Sequence, residues 1–187
     1  MIGSAYFAGY SLSCLLVPRL ADLYGRRLPL IASSLFQFLI YFGIFFSNSY
    51  LFTVALILVF GFCGAGRSVV GYLYLLELVP GDWKTLAGTS LHSMNSMTFI
   101  ISAIYFWFIS KDWRWIILSA LIANGLTALA MVFIPESPAY LYSSRDFDKT
   151  RDSLNKIARL NGSDTRITDV FDIELEELAK RAELRAK

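Results

Sequence analysis

A chain of 187 residues with 56% hydrophobic and 16% aromatic content is more apolar than an ordinary soluble domain. Its charges are segregated: twelve serve the first 138 residues and twenty serve the last 49, so the first part is built for lipid and the second for water. A net charge of +2 says nothing of nucleic acid, and with no basic patch apart from the membrane flanks none is expected as a partner.

A helix needs about 20 apolar residues to cross a bilayer core. Five stretches meet that length: 2–20, 28–46, 51–78, 86–109 and 115–134. Each is continuously apolar rather than alternating, which favours helix over strand. Tyr50, Trp83, Trp107, Trp113 and Trp115 fall near their ends, where amphipathic rings settle at a membrane surface. The sequence therefore predicts an all-α membrane protein, with the bilayer itself as a partner. Cys14 and Cys63 lie in separate apolar segments without metal-ligand spacing and read as small buried residues. No basic leader or cleavage site precedes the first apolar stretch.

The loop after the first stretch carries Arg19, Arg26 and Arg27, whereas residues 47–50 carry no charge. The third loop holds Asp82 and Lys84, the fourth Lys111 and Arg114, and bases are plentiful from Arg145 onward. The positive-inside rule places the first and third loops and the tail, residues 139–187, in the cytoplasm. Within the tail, Asp146 or Asp148 can cap a helix that runs to Leu160 and stops at Asn161-Gly162. A second run, residues 169–187, is rich in Glu, Leu, Ala and Lys and also favours helix.

The first charged loop reads Pro18-Arg19-Leu20-Ala21-Asp22-Leu23-Tyr24-Gly25-Arg26-Arg27. Gly25 suits a tight helix-to-helix turn, and Asp22 can pair with the arginines or face a helix N-terminus. Glu77-Leu78-Val79-Pro80 ends the third stretch, with Lys84 seven residues past Glu77. Pro135-Glu136-Ser137-Pro138, then Leu141 and Arg145, follow the last stretch. In this order the three segments resemble the loops of the major facilitator superfamily, in its organic-ion-transporter and sugar-porter branches. The first is similar to G-x-x-x-D-[RK]-x-G-[RK]-[RK], with Pro18 for the leading Gly and Leu23 for the usual base. Lys84 stands where those branches usually carry Arg, and the third segment is similar to P-E-S-P-x-x-L. Residues 156–162 are closest to the organic-ion branch.

The resemblance implies that the five stretches are helices two to six of a twelve-helix transporter. It implies as partners a first helix and a second six-helix half, so the chain is expected to be a fragment of a longer protein. It also implies that Asp22, Gly25, Arg26, Arg27, Glu77, Lys84, Glu136 and Arg145 belong to ion-pair networks that close one side of the membrane and release.

Ionisable groups inside a bilayer usually face a cavity or a partner. Arg67 lies ten residues before Glu77, deep in the third stretch. Gly64, Gly71 and Tyr74 share its face at helical spacing. Together with Gly66 the two glycines either admit a neighbouring backbone or leave room for a ligand. Arg67 reads either as the cation for an anionic substrate or as a structural arginine bonded to backbone carbonyls or to a helix outside this chain. In the next stretch Thr85, Gly88, Thr89, His92, Asn95, Ser96 and Ser102 form a polar stripe, either cavity lining or glue between helices. His92, Asn95 and Ser96 join Arg67, Gly64, Gly71 and Tyr74 as cavity candidates.

One histidine, no paired carboxylates inside the apolar stretches and no nucleophile motif leave nothing to which catalysis could be assigned. No cofactor or metal is called for. The reading is a secondary transporter of a small organic solute, anionic or zwitterionic in view of Arg67, working by alternating access. The alternative is a non-transporting membrane subunit or receptor that keeps part of the fold.

Overall fold

The computed structural model describes residues 2–163, 166–168 and 170–175. Among them the regular structure is helical: α1 (Ile2–Tyr24), α2 (Arg27–Phe46), α3 (Tyr50–Ala65), α4 (Gly71–Leu78), α5 (Lys84–Ile104), α6 (Arg114–Met131), α7 (Pro138–Ser143) and α8 (Phe147–Leu160). A π-helical turn, Gly66–Val70, joins α3 to α4 without a break, and another, Tyr105–Ile109, extends α5. Three helical stretches are long and apolar enough to cross a membrane: Arg27–Phe46, Tyr50–Leu78 and Arg114–Met131. The chain divides into two compact units, residues 1–134 and 135–187.

In the first unit α3 is the central strut, packed on α1 and α2, while α6 covers α2 and α5 leans on α4. Association of apolar helices in lipid depends on close packing, since water supplies no drive between them. The sequence provides for this. Gly9, Ser13, Val17 and Ala21 recur at every fourth residue of α1, and all are buried. A Cβ on Gly9 would overlap the Leu58 carbonyl oxygen, and one on Gly61 would overlap that of Tyr6, so the two glycines form the crossing point of α1 and α3. Gly66 meets Ser33 of α2 with equally little room. On α2 the residues Leu30, Ser33, Ser34, Gln37, Ile40 and Ile44 form one buried helical face.

The first apolar stretch was expected to end at Leu20, but α1 continues to Tyr24. Pro18 lies inside it, a position that membrane helices tolerate when neighbours re-satisfy the freed carbonyl. The break comes at Gly25, whose φ of 95° lies in a region only glycine enters freely. Asp22 consequently sits on the last turn of α1 rather than in a loop.

The second unit opens on the Pro-Glu-Ser-Pro segment, which works as a helix start. The Ser137 hydroxyl accepts from the Tyr140 N–H at 3.3 Å, with Pro138 in the first turn. Glu136 accepts from the Ser137 N–H at 3.0 Å through its carboxylate, and from the Ser153 hydroxyl at 2.6 Å through its carbonyl. Helix α7 ends with Arg145 at a φ of 60°. The Arg145 N–H donates to Tyr142 and the Asp146 N–H to Leu141, both at 3.1 Å, the paired bonds of a Schellman stop. Of the two candidate caps it is Asp146 that starts α8, accepting from the Lys149 N–H at 3.3 Å. Gly162, with a φ of 75°, ends α8 in the same way as Arg145 ends α7.

Past α8 the chain folds back along it. Asn155 holds the Ile167 backbone at both ends of its amide, at 2.8 and 3.2 Å. Arg151 reaches Glu174 at 2.7 Å and Asp148 at 2.7 Å, and Phe171 packs among Tyr142 and Phe147. Residues 172–175 make one helical turn. The second tail helix expected over 169–187 thus begins at Asp172 among the described residues, and 169 and 176–187 lie outside them. The hydrogen bond from Arg151 holds the Glu174 carboxyl below the usual glutamate range. Because this pKa is depressed, the clasp is intact at neutral pH and opens as pH falls through the lowered value. A carbon-13 carboxyl titration should show a Glu174 midpoint below that of a free glutamate, and Arg151→Ala should return it to the ordinary range.

Candidate functional site

Arg67 stands in the π-helical turn and is exposed. A π turn spans five residues per hydrogen bond instead of four, which breaks the regular helical face and favours functional positions. Here it has a definite consequence. The residues that join Arg67 around one cavity are Ser68, Val69 and Tyr72 from its own span, Tyr10 from α1, and Leu91, His92, Met94, Asn95 and Thr98 from α5. The cavity holds about 560 Å³, the size of a small-molecule site.

Of the cavity candidates read from the sequence, Arg67, His92 and Asn95 come together here. The others are placed elsewhere. Gly64 is buried against Tyr6 and Tyr10 of α1, Gly71 faces Leu30 of α2, and Tyr74 is buried. Helical periodicity put all three on the Arg67 face; the π turn moves Tyr72 there instead. Neither Gly64 nor Gly66 admits a neighbouring backbone: the space beside Gly64 is taken by the Tyr6 and Tyr10 side chains, and that beside Gly66 by the Ser33 side chain. Ser96 turns its hydroxyl to the His92 carbonyl at 3.1 Å, and Thr89, Thr98 and Ser102 bond in the same way four residues back. Much of the polar stripe thus satisfies itself within α5. His92 packs its ring on Tyr72, with centroids 5.5 Å apart, and Gly88 leaves just the space that the Tyr72 hydroxyl end fills.

Asn124 of α6 escaped the sequence reading, although an amide in an apolar helix is itself a signal. It is buried, and both ends of its amide find complementary groups when its nitrogen donates to the Ser34 carbonyl at 3.0 Å. Its oxygen then accepts from Arg67 Nη1 at 3.2 Å.

A second constellation lies where α1, α2 and α4 meet. Arg26 pairs with Asp22 at 3.1 Å and with Glu77 at 3.3 Å, and also donates to the Ala21 carbonyl at 3.0 Å. The Arg26 and Glu77 side chains are only 13% and 15% exposed, against 66% for Asp22, so the Arg26–Glu77 pair forms the inner part of the network. Arg27 instead donates to the Val132 carbonyl at 2.6 Å, where a cation is favoured by the negative end of α6. Lys84 is exposed at the start of α5, while Arg26 occupies Glu77. Glu136 and Arg145 belong to the second unit, as helix-start and helix-stop residues.

A bundle of apolar helices, three of them long enough to cross a membrane, with a cavity and a charge network between them, is the build of an integral membrane protein. The chain matches the model of the sugar (and other) transporter family over residues 1–184 and belongs to that family, within the major facilitator superfamily's sugar-porter and organic-ion branches. It is 28% identical over 187 residues to an organic cation transporter-like protein of Drosophila melanogaster, covering 98% of this chain and 32% of that one. Solute carrier family 22 member 6 of Pseudopleuronectes americanus is 29% identical over 161 residues, which is 84% of this chain and 28% of that protein. A D-xylose transporter of Levilactobacillus brevis is 30% identical over 160 residues, 82% of this chain and 35% of the transporter. The chain thus spans about a third of the length of these relatives.

Proposed function

We propose that this chain supplies a solute-binding part of a secondary transporter of small organic solutes, which acts by alternating access together with further helices. In this reading α1, α2, the α3–α4 span, α5 with its π turn, and α6 cross the bilayer. The charged loop at Gly25, the loop before Lys84 and the tail face the cytoplasm, in keeping with their basic residues. The observation that carries the proposal is the cavity that gathers Arg67, His92 and Asn95 between α1, the α3–α4 span and α5. Among the described residues no carboxylate lines it, so its charge is set by Arg67, and an anionic or zwitterionic solute suits it best. Asp22, Arg26 and Glu77 serve as a breakable ion network at one end of the bundle, as a gate between two states requires.

Uptake by cells expressing the full open reading frame, measured for a panel of organic anions, cations and sugars, tests this. Arg67→Ala should reduce uptake of an accepted anion by about tenfold or more, since a charge-assisted contact is worth roughly 1.5–3 kcal/mol. Unchanged anion uptake in that variant would remove Arg67 from the site.

A further inference from the structure

We infer that Asn124 is the specificity-determining residue of the Arg67 site: as a neutral tether it fixes the guanidinium while leaving its charge free for an anionic ligand. The inference rests on the reading of the cavity as a solute site and adds the residue that sets its charge. Three observations support it. Asn124 is only 5% exposed and is anchored to a backbone carbonyl, that of Ser34, so its amide oxygen is held in place. That oxygen takes one donor of Arg67, at Nη1, and no other hydrogen bond of this guanidinium occurs among the described residues. Arg67 itself is exposed and lines the cavity, and a guanidinium with donors to spare matches a carboxylate in two-point fashion. Finally, among the described residues the cavity's titratable lining is Arg67, His92, Tyr10 and Tyr72, none of which brings a negative charge to cancel the positive one.

The choice of amide over acid is the point of the arrangement. Both have the same shape and both could hold Nη1, although a carboxylate cannot also donate to the Ser34 carbonyl, a loss that Asn124→Leu shares. An aspartate would form a closed ion pair, leaving the site nearly neutral, and would repel an incoming anion across the guanidinium. An asparagine prepays the ordering of a long side chain without spending its charge. Ligand charge is therefore selected at a residue that lies behind the arginine and does not line the cavity.

The test uses three isosteric probes of different charge: benzoate, benzamide and benzamidine. Their binding to the purified full-length protein in lipid nanodiscs is followed by saturation-transfer NMR titration. Wild type should prefer benzoate to benzamide. Asn124→Asp should lower that preference by about tenfold or more, keep benzamide affinity within about threefold, and improve benzamidine. Asn124→Leu, which removes the tether without adding charge, should weaken benzoate less than the aspartate does. In an Arg67→Ala background Asn124→Asp should no longer reduce the preference. A wild-type benzoate-to-benzamide ratio in Asn124→Asp overturns the inference even if Arg67→Ala abolishes benzoate binding. Should Asn124→Asp fail to fold, an unchanged ratio in Asn124→Leu overturns it equally. No preference for benzoate in wild type, or a preference that survives Arg67→Ala, removes instead the solute-site reading on which it stands.

Discussion

Gly61→Val should prevent α1 and α3 from docking and cost more than about 3 kcal/mol, the upper end of what overpacking usually costs. The added side chain has nowhere to go. A Cβ at Gly61 already overlaps the Tyr6 carbonyl oxygen, and the symmetric position at Gly9 overlaps that of Leu58. Each obstacle is backbone, so no rotamer change relieves it, and two helices must separate along their length. The separation would also open the cluster of Val17, Ala21 and Val70, and it would carry Tyr10 away from the Arg67 cavity. Gly3→Val and Gly81→Val are the controls, since nothing lies within 4 Å of a Cβ at either. Their cost should be limited to ordinary helix and turn propensity. Thermal unfolding in detergent, followed by far-ultraviolet circular dichroism, distinguishes the two outcomes. A Gly61→Val protein that melts with the Gly3→Val protein would mean that the α1–α3 crossing is not load-sharing in solution.

Helix positions were largely legible in the sequence because they depend on continuous apolar runs. The expected stretch 51–78 corresponds to Tyr50–Leu78, and 28–46 to Arg27–Phe46. The first helix outruns its apolar stretch, since hydropathy falls at Arg19 while helical geometry persists until Gly25 permits a turn. The cavity was legible only in part. Arg67, His92 and Asn95 could be found because a polar group in an apolar run is conspicuous on its own. Tyr10 and Tyr72 could not, since an aromatic residue in an apolar helix looks the same whether it faces lipid, core or cavity. Gly64, Gly71 and Tyr74 were drawn to the Arg67 face by a regular helical period that the π turn interrupts. No residue pattern at Gly66–Val70 announces that turn. In the charge network the pattern suggested Lys84 as the base near Glu77, seven residues along the chain. The structure pairs Glu77 with Arg26, 51 residues away, because the turn at Gly25 swings Arg26 toward the end of α4.

That pairing predicts an asymmetry between removing one partner and removing both. Arg26→Ala should destabilise the protein by roughly 3–5 kcal/mol, the cost of stranding one charge of a largely buried pair. Glu77 Oε2 already has no hydrogen-bond partner, so without Arg26 both oxygens of a carboxylate that is only 15% exposed must seek water or a proton. Asp22 stands apart: at 66% exposure its pair with Arg26 is screened, and Asp22→Asn should change stability by no more than about 1 kcal/mol. Replacing both inner partners, Arg26→Met with Glu77→Leu, should recover most of the loss, since an apolar pair of similar volume escapes the desolvation that ion pairing merely offsets. The double-mutant cycle therefore yields a large coupling energy whose origin is the penalty for a stranded charge rather than an intrinsic gain from the bridge. Function should part from stability here. The apolar double variant holds one end of the bundle shut with contacts that cannot dissociate into water, so it should be folded yet slow in uptake. A double variant that is both stable and fully active would show that the Arg26–Glu77 pair fastens the helices without taking part in a gate.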